Sequence, residues 1–408
     1  MKQNALTVIA PIKTDEADAL ERILTEIGND VEGNPHVRFR DTPSTHFARW
    51  VILERRPKVG KCLLFVSNHD GCLQSYMREL VQAVGPGMEE VWSKCKGYPP
   101  GAAQDVARFT EFIQRHSVEH QAFYVALPGA SVRDISNCAH LREMVNELLD
   151  RPSADPWVRQ LPDLVPTPQA AGLLGRLQQL AERWLLQLFK LLQRLAGVRP
   201  GVDNPNYVRA QAREDVLEIE GSSMVQTPVT LVSTIKKPRF YHKLLLRSTL
   251  FVVNQVAQKT PPTLGGVSTI HFAHWAIINE GRHLLFETNF DGSWERYLDD
   301  FIDHVSEELD AVWANCENYP KGGAEDSEGF KRFFRDDHFP VQVYYSAYPE
   351  ATVNNIVTDL QLGDAVKQFL RQEEVERFLG GSYAIGAGPP PTDEVAHRTR
   401  SAEAASDR

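Results

Sequence analysis

A basic surplus is the first thing this chain lacks. Its 408 residues carry a formal net charge of −10, whereas a general nucleic-acid binder would show a basic footprint against the phosphate backbone. Cysteine is also scarce. Cys62, Cys72, Cys95, Cys138 and Cys316 form no Cys-x-x-Cys pair and no Cys/His spacing typical of zinc, and their odd number suits free thiols in a reducing compartment. No apolar run is long enough and free enough of charge to span a bilayer. The opening MKQNALTVIAPIKTDEADAL places one short apolar run before acidic residues, which is the pattern of a strand and not of a secretory signal. Gly-x-Gly-x-x-Gly, Walker, Gly-x-Ser-x-Gly and His-Glu-x-x-His motifs are all missing. These absences lead us to expect a cytoplasmic protein, at most peripheral to the inner face of a membrane, that binds no nucleic acid.

What the chain does have is a repeat. HFARWVILERRPKVGKCLLFVSNHDG, from His46 to Gly71, returns as HFAHWAIINEGRHLLFETNFDG from His271 to Gly292. Downstream the likeness continues at constant offset: Val91 and Trp92 recur as Val312 and Trp313, Cys95 as Cys316, Tyr98 as Tyr319 and Pro128 as Pro349. Each copy reads as strand, turn, strand, then Asn-x-Asp-Gly opening a helix. Before it, LTVIAPIK has the apolar density of a buried strand, and a helix with Leu20, Ile23, Leu24 and Ile27 on one face follows. His46, Ala48, Trp50 and Ile52 should share one face of their strand, with Phe47, Arg49, Val51 and Leu53 on the other. The helix after the Asp-Gly turn should break at Gly85-Pro86-Gly87 and resume through Val91 and Trp92. A further helix over 103–115 and the closing strand QAFYVAL complete a β-α-β-β-α-β order, the ferredoxin-like unit. The second copy runs from Thr230–Lys236 through a long apolar helix near 240–258 to its own closing strand, VQVYYSAY.

With 42% hydrophobic and 24% charged residues, the chain has material for two cores, and two sheets in one chain can pack face to face. The expected fold class is α+β: tandem ferredoxin-like repeats forming a pseudo-symmetric barrel of the dimeric α+β type, with a helical connector. Repeat 1 is assigned to residues 1–150, a connector to 151–225, repeat 2 to 226–380 and a disordered tail to 381–408. Proline is frequent where the connector begins. AAGLLGRLQQLAERWLLQLFKLLQRLAGV then puts Leu173, Leu177, Leu180, Trp184 and Leu188 on one broad helical face, with Arg176, Arg183, Lys190 and Arg194 along its flank. Such a helix, over residues 171–197, either covers the protein's own surface or lies in a membrane interface with its bases reaching headgroups. The helix of the second repeat adds Arg239, His242, Lys243 and Arg247.

Two readings stand for the Asn-x-Asp-Gly turns, Asn68 to Gly71 and Asn289 to Gly292. One is structural: a residue with φ > 0 beside an Asp that caps the next helix. The other is an acid or base at the mouth of a barrel. The architecture resembles the dye-decolorizing peroxidase and chlorite dismutase superfamily, in which two ferredoxin-like units enclose haem. Dye-decolorizing peroxidases carry Gly-x-x-Asp-Gly, and Ser67 and Thr288 stand here in place of the leading Gly. More closely, GGVSTIHFAHWAIINEGRHLLFETNFDGSWERYLDDFID resembles a group of uncharacterised bacterial proteins with the same duplicated layout. The resemblance to the peroxidases implies haem, a peroxide or other small-molecule substrate, and Asp70 or Asp291 as catalytic groups with Arg49 and Arg296 as partners. Haem would need a histidine. His46 and His271 occupy equivalent strand positions; His274 and His304 lack histidine counterparts, as a single site would leave them. His304, one helical turn after Asp300, is the expected iron ligand, with His274 and His271 the other cofactor-binding candidates. The function expected is a haem-dependent, peroxidase-like oxidoreductase with the cofactor in one half only; the rival reading is a non-catalytic protein, peripheral to a membrane or bound to a partner, that keeps the barrel as a scaffold.

Overall fold

The structure is a computed structural model describing residues 2–55, 59–150 and 225–371. The connector helix expected over 171–197 and the tail from 381 lie outside the described residues. The chain divides into two units, Met1–Glu143 with Thr167–Leu360, and Met144–Pro166 with Gln361–Arg408. The first unit contains both sheets.

The first half runs β1 (Gln3–Pro11), α1 (Ala17–Asn29), β2 (Thr45–Arg55), β3 (Val59–Asp70), α2 (Leu73–Trp92), α3 (Val106–His116), β4 (Ala122–Val125) and α4 (Val132–Leu149). In the second half the same order recurs as β5 (Gln226–Thr234), α5 (Arg239–Ala257), β6 (Ile270–Ile278), β7 (His283–Asp291), α6 (Trp294–Trp313), α7 (Ser327–Asp337), β8 (Val343–Ser346) and α8 (Val353–Arg371). The fold is α+β, with two four-stranded antiparallel sheets and, among the described residues, eight α-helices. Helices α4 and α8 extend each half beyond the expected unit.

The strand order corrects one expectation. The sheets are ordered β1-β3-β2-β8 and β4-β6-β7-β5, so each half's closing strand completes the other half's sheet. Phe47 pairs with Ser346 and Trp50 with Val343, while Ala122 pairs with Trp275 and Val125 with Phe272. Both crossing strands are only four residues long, too short to form a stable edge alone. The two halves therefore share one compact unit.

Strand alternation sorts the cores as expected from Phe47 to Leu53, but His46, expected on the face of Ala48 and Trp50, sits at a bulge and leaves that face. Trp50, Phe65, Leu63 and Val8 face α1, α2 and α3 in one cluster, and Trp275, Phe286, Leu231 and Ile270 face the helices of the second half. The opposite strand faces meet each other: Val51, Leu53, Leu64 and Val66 from one sheet form a single cluster with Ala276, Ile278 and Leu285 from the other.

The expected interruption of α2 is present: its backbone leaves the helical region at Val84 (φ −134°), next to Gly85-Pro86-Gly87, and the helix resumes through Val91 and Trp92. Helix α6 is interrupted likewise at the corresponding Val305 (φ −138°), although it has neither proline nor glycine there.

Candidate functional site between the sheets

Arg49 is the organising residue. Alternation along β2 sends it away from the helices and across to the other sheet, where it is 2% exposed. Its Nη1 donates to Glu287 Oε2 at 2.9 Å and to the Val229 carbonyl at 2.9 Å; Nη2 donates to the Thr288 carbonyl at 2.9 Å and to Asn289 Oδ1. Glu287 is 0% exposed, and its Oε2 also accepts the Thr230 hydroxyl at 3.0 Å. Its Oε1 has no hydrogen-bond partner. Burial pushes the Glu287 carboxyl up to about 7, against Arg49 and Thr230, which pull it down. Asn289 in turn donates to Asn68 Oδ1 at 3.2 Å. These two asparagines are equivalent in the repeat, so their contact marks a local two-fold relation between the halves.

Across that relation, His274 takes the place of Arg49 and Thr7 that of Thr230. The Thr7 hydroxyl lies 3.2 Å from His274 Nε2 and 2.8 Å from His120 Nε2. Val66 occupies the position of Glu287, so this side has no carboxylate to hold a charge. Burial, with His120 and Arg49 adding repulsion, pushes His274 well below the ordinary imidazole range; burial takes His120 down to about 4. Both rings are neutral at physiological pH. One side of the interior is thus an ion pair and the other a pair of uncharged imidazoles.

A second polar group lies near the strand ends. His46 and His271 are each the residue skipped in strand pairing, since Thr45 pairs with His69 and Phe47 with Asn68, while Ile270 pairs with Phe290 and Phe272 with Asn289. Such bulges re-aim a side chain, and both imidazoles turn to the Asp of their own Asn-x-Asp-Gly turn. His46 Nε2 donates to Asp70 Oδ1 at 3.1 Å, and His271 Nε2 to Asp291 Oδ1 at 2.7 Å. The remaining carboxylate oxygens accept Val132 N–H at 2.9 Å and Val353 N–H at 2.8 Å. Each Asp therefore caps the helix after the crossing strand, α4 or α8, and not the helix that directly follows its turn, as the sequence suggested. Glycine at φ +78° (Gly71) and +86° (Gly292) lets the chain leave the carboxylate in that position.

The two pairs differ in one respect. Tyr348 donates its hydroxyl to His46 Nδ1 at 2.9 Å, whereas Leu127 is the sequence counterpart of Tyr348 and offers His271 no hydroxyl. Phe47 packs edge-on to His271 at 5.4 Å and Phe272 lies 5.3 Å from His46. Because each Asp ties an imidazole to a helix start, Asp70→Ala should lower stability by about 2 kcal/mol. Urea unfolding checks this, and an unchanged midpoint would show the cap to be idle.

The remaining expected site residues lie elsewhere. His304 is exposed on α6, donating from Nδ1 to the Asp300 carbonyl at 2.8 Å, and Arg296 is exposed near the start of the same helix. Neither joins the Arg49–Glu287 group, the Thr7–His274 contact or the His46–Asp70 and His271–Asp291 pairs. Among the described residues no group of three His, Cys, Asp or Glu side chains is arranged to hold a metal ion. A haem does not fit the interior. Arg49 of one sheet bonds directly to backbone carbonyls of the other, apolar side chains of both sheets fill the space beside it, and His271 and His274 point at protein groups. A cavity of about 10 Å³ lies instead behind the second sheet, lined by Val229, Leu231, Trp294, Tyr297, Leu298, Phe334 and His338, with room for about one water.

Sequence reasoning singled out Arg49 and His274 but missed Glu287, Thr230, Thr7, His120 and Tyr348. A trace of Glu287 was present: it is the single ionisable residue in the apolar stretch LLFETNF of β7.

No family model matches the chain, and no curated protein matches it. A crystal structure from Fusobacterium nucleatum, named as a candidate monooxygenase, aligns over 85% of this chain and 94% of its own at 5% identity and a TM-score of 0.25. At that score the likeness carries no argument about fold or activity.

Proposed function

We propose that this chain is a non-catalytic binding protein, attached peripherally to a membrane or a partner, whose two-sheet unit serves as a scaffold. The observation that carries this reading is the span of Arg49 across the interior. A guanidinium bonded to a carboxylate, an amide and two backbone carbonyls occupies the space between the sheets beside which a cofactor would have to lie. The working surface is then an outer one. Under the same reading the two halves are copies of one unit and the sheets are the walls of a duplicated α+β barrel. Repeated element order, exchanged closing strands and the contact between equivalent asparagines support that view.

The function first expected from the sequence, a haem-dependent peroxidase-like oxidoreductase, makes an opposite forecast. Haemin titrated into the purified 408-residue protein should give no saturable Soret shift, and peroxide with a dye substrate no turnover above free haemin. A stoichiometric shift abolished by His271→Ala or His274→Ala would overturn the scaffold reading.

A further inference from the structure

Large apolar side chains exposed among the described residues are few, and three of them lie on one helix: Phe240 at 79%, Leu244 at 55% and Phe251 at 64% exposure, all on α5. At 100° per residue they fall within one narrow stripe, with Arg247 at its edge and Lys243 and Arg239 farther along the same flank. Lys237, just before the helix, is also exposed. No Asp or Glu occurs anywhere between Glu220 and Glu280, although the chain as a whole carries 54 acidic residues.

The chain supplies its own control. Helix α1 holds the equivalent position in the first half and presents Asp18, Glu21, Arg22, Thr25 and Glu26 to solvent. The same architectural slot therefore takes an ordinary polar, largely acidic face in one half and an apolar, basic face in the other. Packing does not demand this, because the inner side of α5 is served by Leu246, Thr249 and Leu250.

We infer that the outer face of α5 docks onto an anionic phospholipid surface. Phe240, Leu244 and Phe251 would enter the headgroup boundary while Arg239, Lys243 and Arg247 reach phosphates, the arrangement of an interfacial amphipathic helix. Charge selects this occupant over two others. A second copy would set one basic face against another, and the chain's own 171–197 segment carries Arg176, Arg183, Lys190 and Arg194, so both repel the helix. Since the protein is acidic elsewhere, an anionic membrane would attract it through this face and turn the others away.

The inference rests on the scaffold reading and names its partner; the haemin titration tests that reading, and the following experiment tests the partner alone. The full-length protein is floated with phosphatidylcholine vesicles and with vesicles containing about 30% phosphatidylserine. Flotation with the anionic vesicles only is expected, weakened by added salt. Phe240→Ser/Phe251→Ser and Arg239→Glu/Arg247→Glu should each weaken it about tenfold or more, with thermal unfolding unchanged because these side chains are exposed. Four outcomes would overturn the inference: no flotation, equal flotation with neutral vesicles, variants that float like the parent, or loss on Trp184→Asp/Leu188→Asp with none on the α5 variants. Saturable binding of polyglutamate without flotation would assign the face to an acidic polypeptide and also overturn it.

Discussion

Replacing Arg49 with methionine should destabilise the protein by about 3–5 kcal/mol, while Arg49→Met/Glu287→Leu should recover more than half of that loss. Removing one partner leaves a carboxylate at 0% exposure without its counter-charge; removing both leaves two apolar side chains of similar size facing each other. The single variant also has a distinctive pH dependence. Burial already raises Glu287 to about 7 in the parent, and loss of Arg49 raises it further. A carboxyl whose folded value lies above its unfolded one contributes stability that is full below the unfolded value and is lost as pH rises through the folded one. The deficit of Arg49→Met should therefore be smallest near pH 5 and grow through neutrality. Chemical unfolding of the parent, both singles and the double variant measures this, and a double variant as weak as Arg49→Met would remove the ion pair from the account.

His69→Phe should stabilise the protein, and increasingly so in acid. His69 is buried with neither ring nitrogen hydrogen-bonded, and its ring stacks on Tyr76 at 4.0 Å with 7° between planes. The second half shows what that site accepts: Phe290 stacks on Tyr297 at 3.7 Å and 8°. Removing an unsatisfied buried imidazole should contribute about 1–3 kcal/mol. Burial, reinforced by His46, takes His69 down to about 3 even though Asp70 pulls it up. A base depressed in the folded state costs stability as pH falls, because the unfolded chain takes up the proton near the ordinary value of 6.5 while the folded one does not. Between pH 7 and pH 5 the advantage of the phenylalanine variant should widen by ~2 kcal/mol. His120 and His274, depressed in the same sense, remain in the variant, so it should still lose some stability in acid. An advantage that does not change with pH would mean that His69 takes up a proton as readily in the folded protein as in the unfolded chain.

Both experiments concern places where the halves differ while the backbone agrees. Arg49 faces His274 across the local two-fold, Glu287 faces Val66, His69 faces Phe290, and the face of α1 contrasts with that of α5. The polar interior is asymmetric although built on equivalent strand positions. An ion pair needs both its members, and here they come from different halves: Arg49 from β2 and Glu287 from β7. Such a pair ties the two sheets together in a way that two independently folding halves would not need.

Much of this was legible in the residues. The shared face of Phe47, Arg49, Val51 and Leu53 and the strand-turn-strand before each Asp-Gly turn follow from period-two alternation and turn chemistry, which are local properties of the chain. The surface character of α5 was foreshadowed by Arg239, Lys243 and Arg247 among apolar neighbours. Other features were hidden. A four-residue strand such as β4 or β8 reads the same whichever sheet it joins, since its partner is chosen by chain reach and edge availability and not by its own pattern. The histidine bulges were invisible because a bulge is a property of a pairing, and a single strand has none.

By itself, then, the order of amino acids determined the strands and helices of each half up to its closing strand, though not α4 or α8, because those depend on neighbours a few positions apart. Only the tertiary structure decided that the halves exchange closing strands, that Arg49 meets Glu287, and that Asp70 and Asp291 cap helices α4 and α8. Each of those depends on groups far apart in the chain, whose meeting is set by packing and by the cost of leaving a charge or a backbone donor buried without a partner.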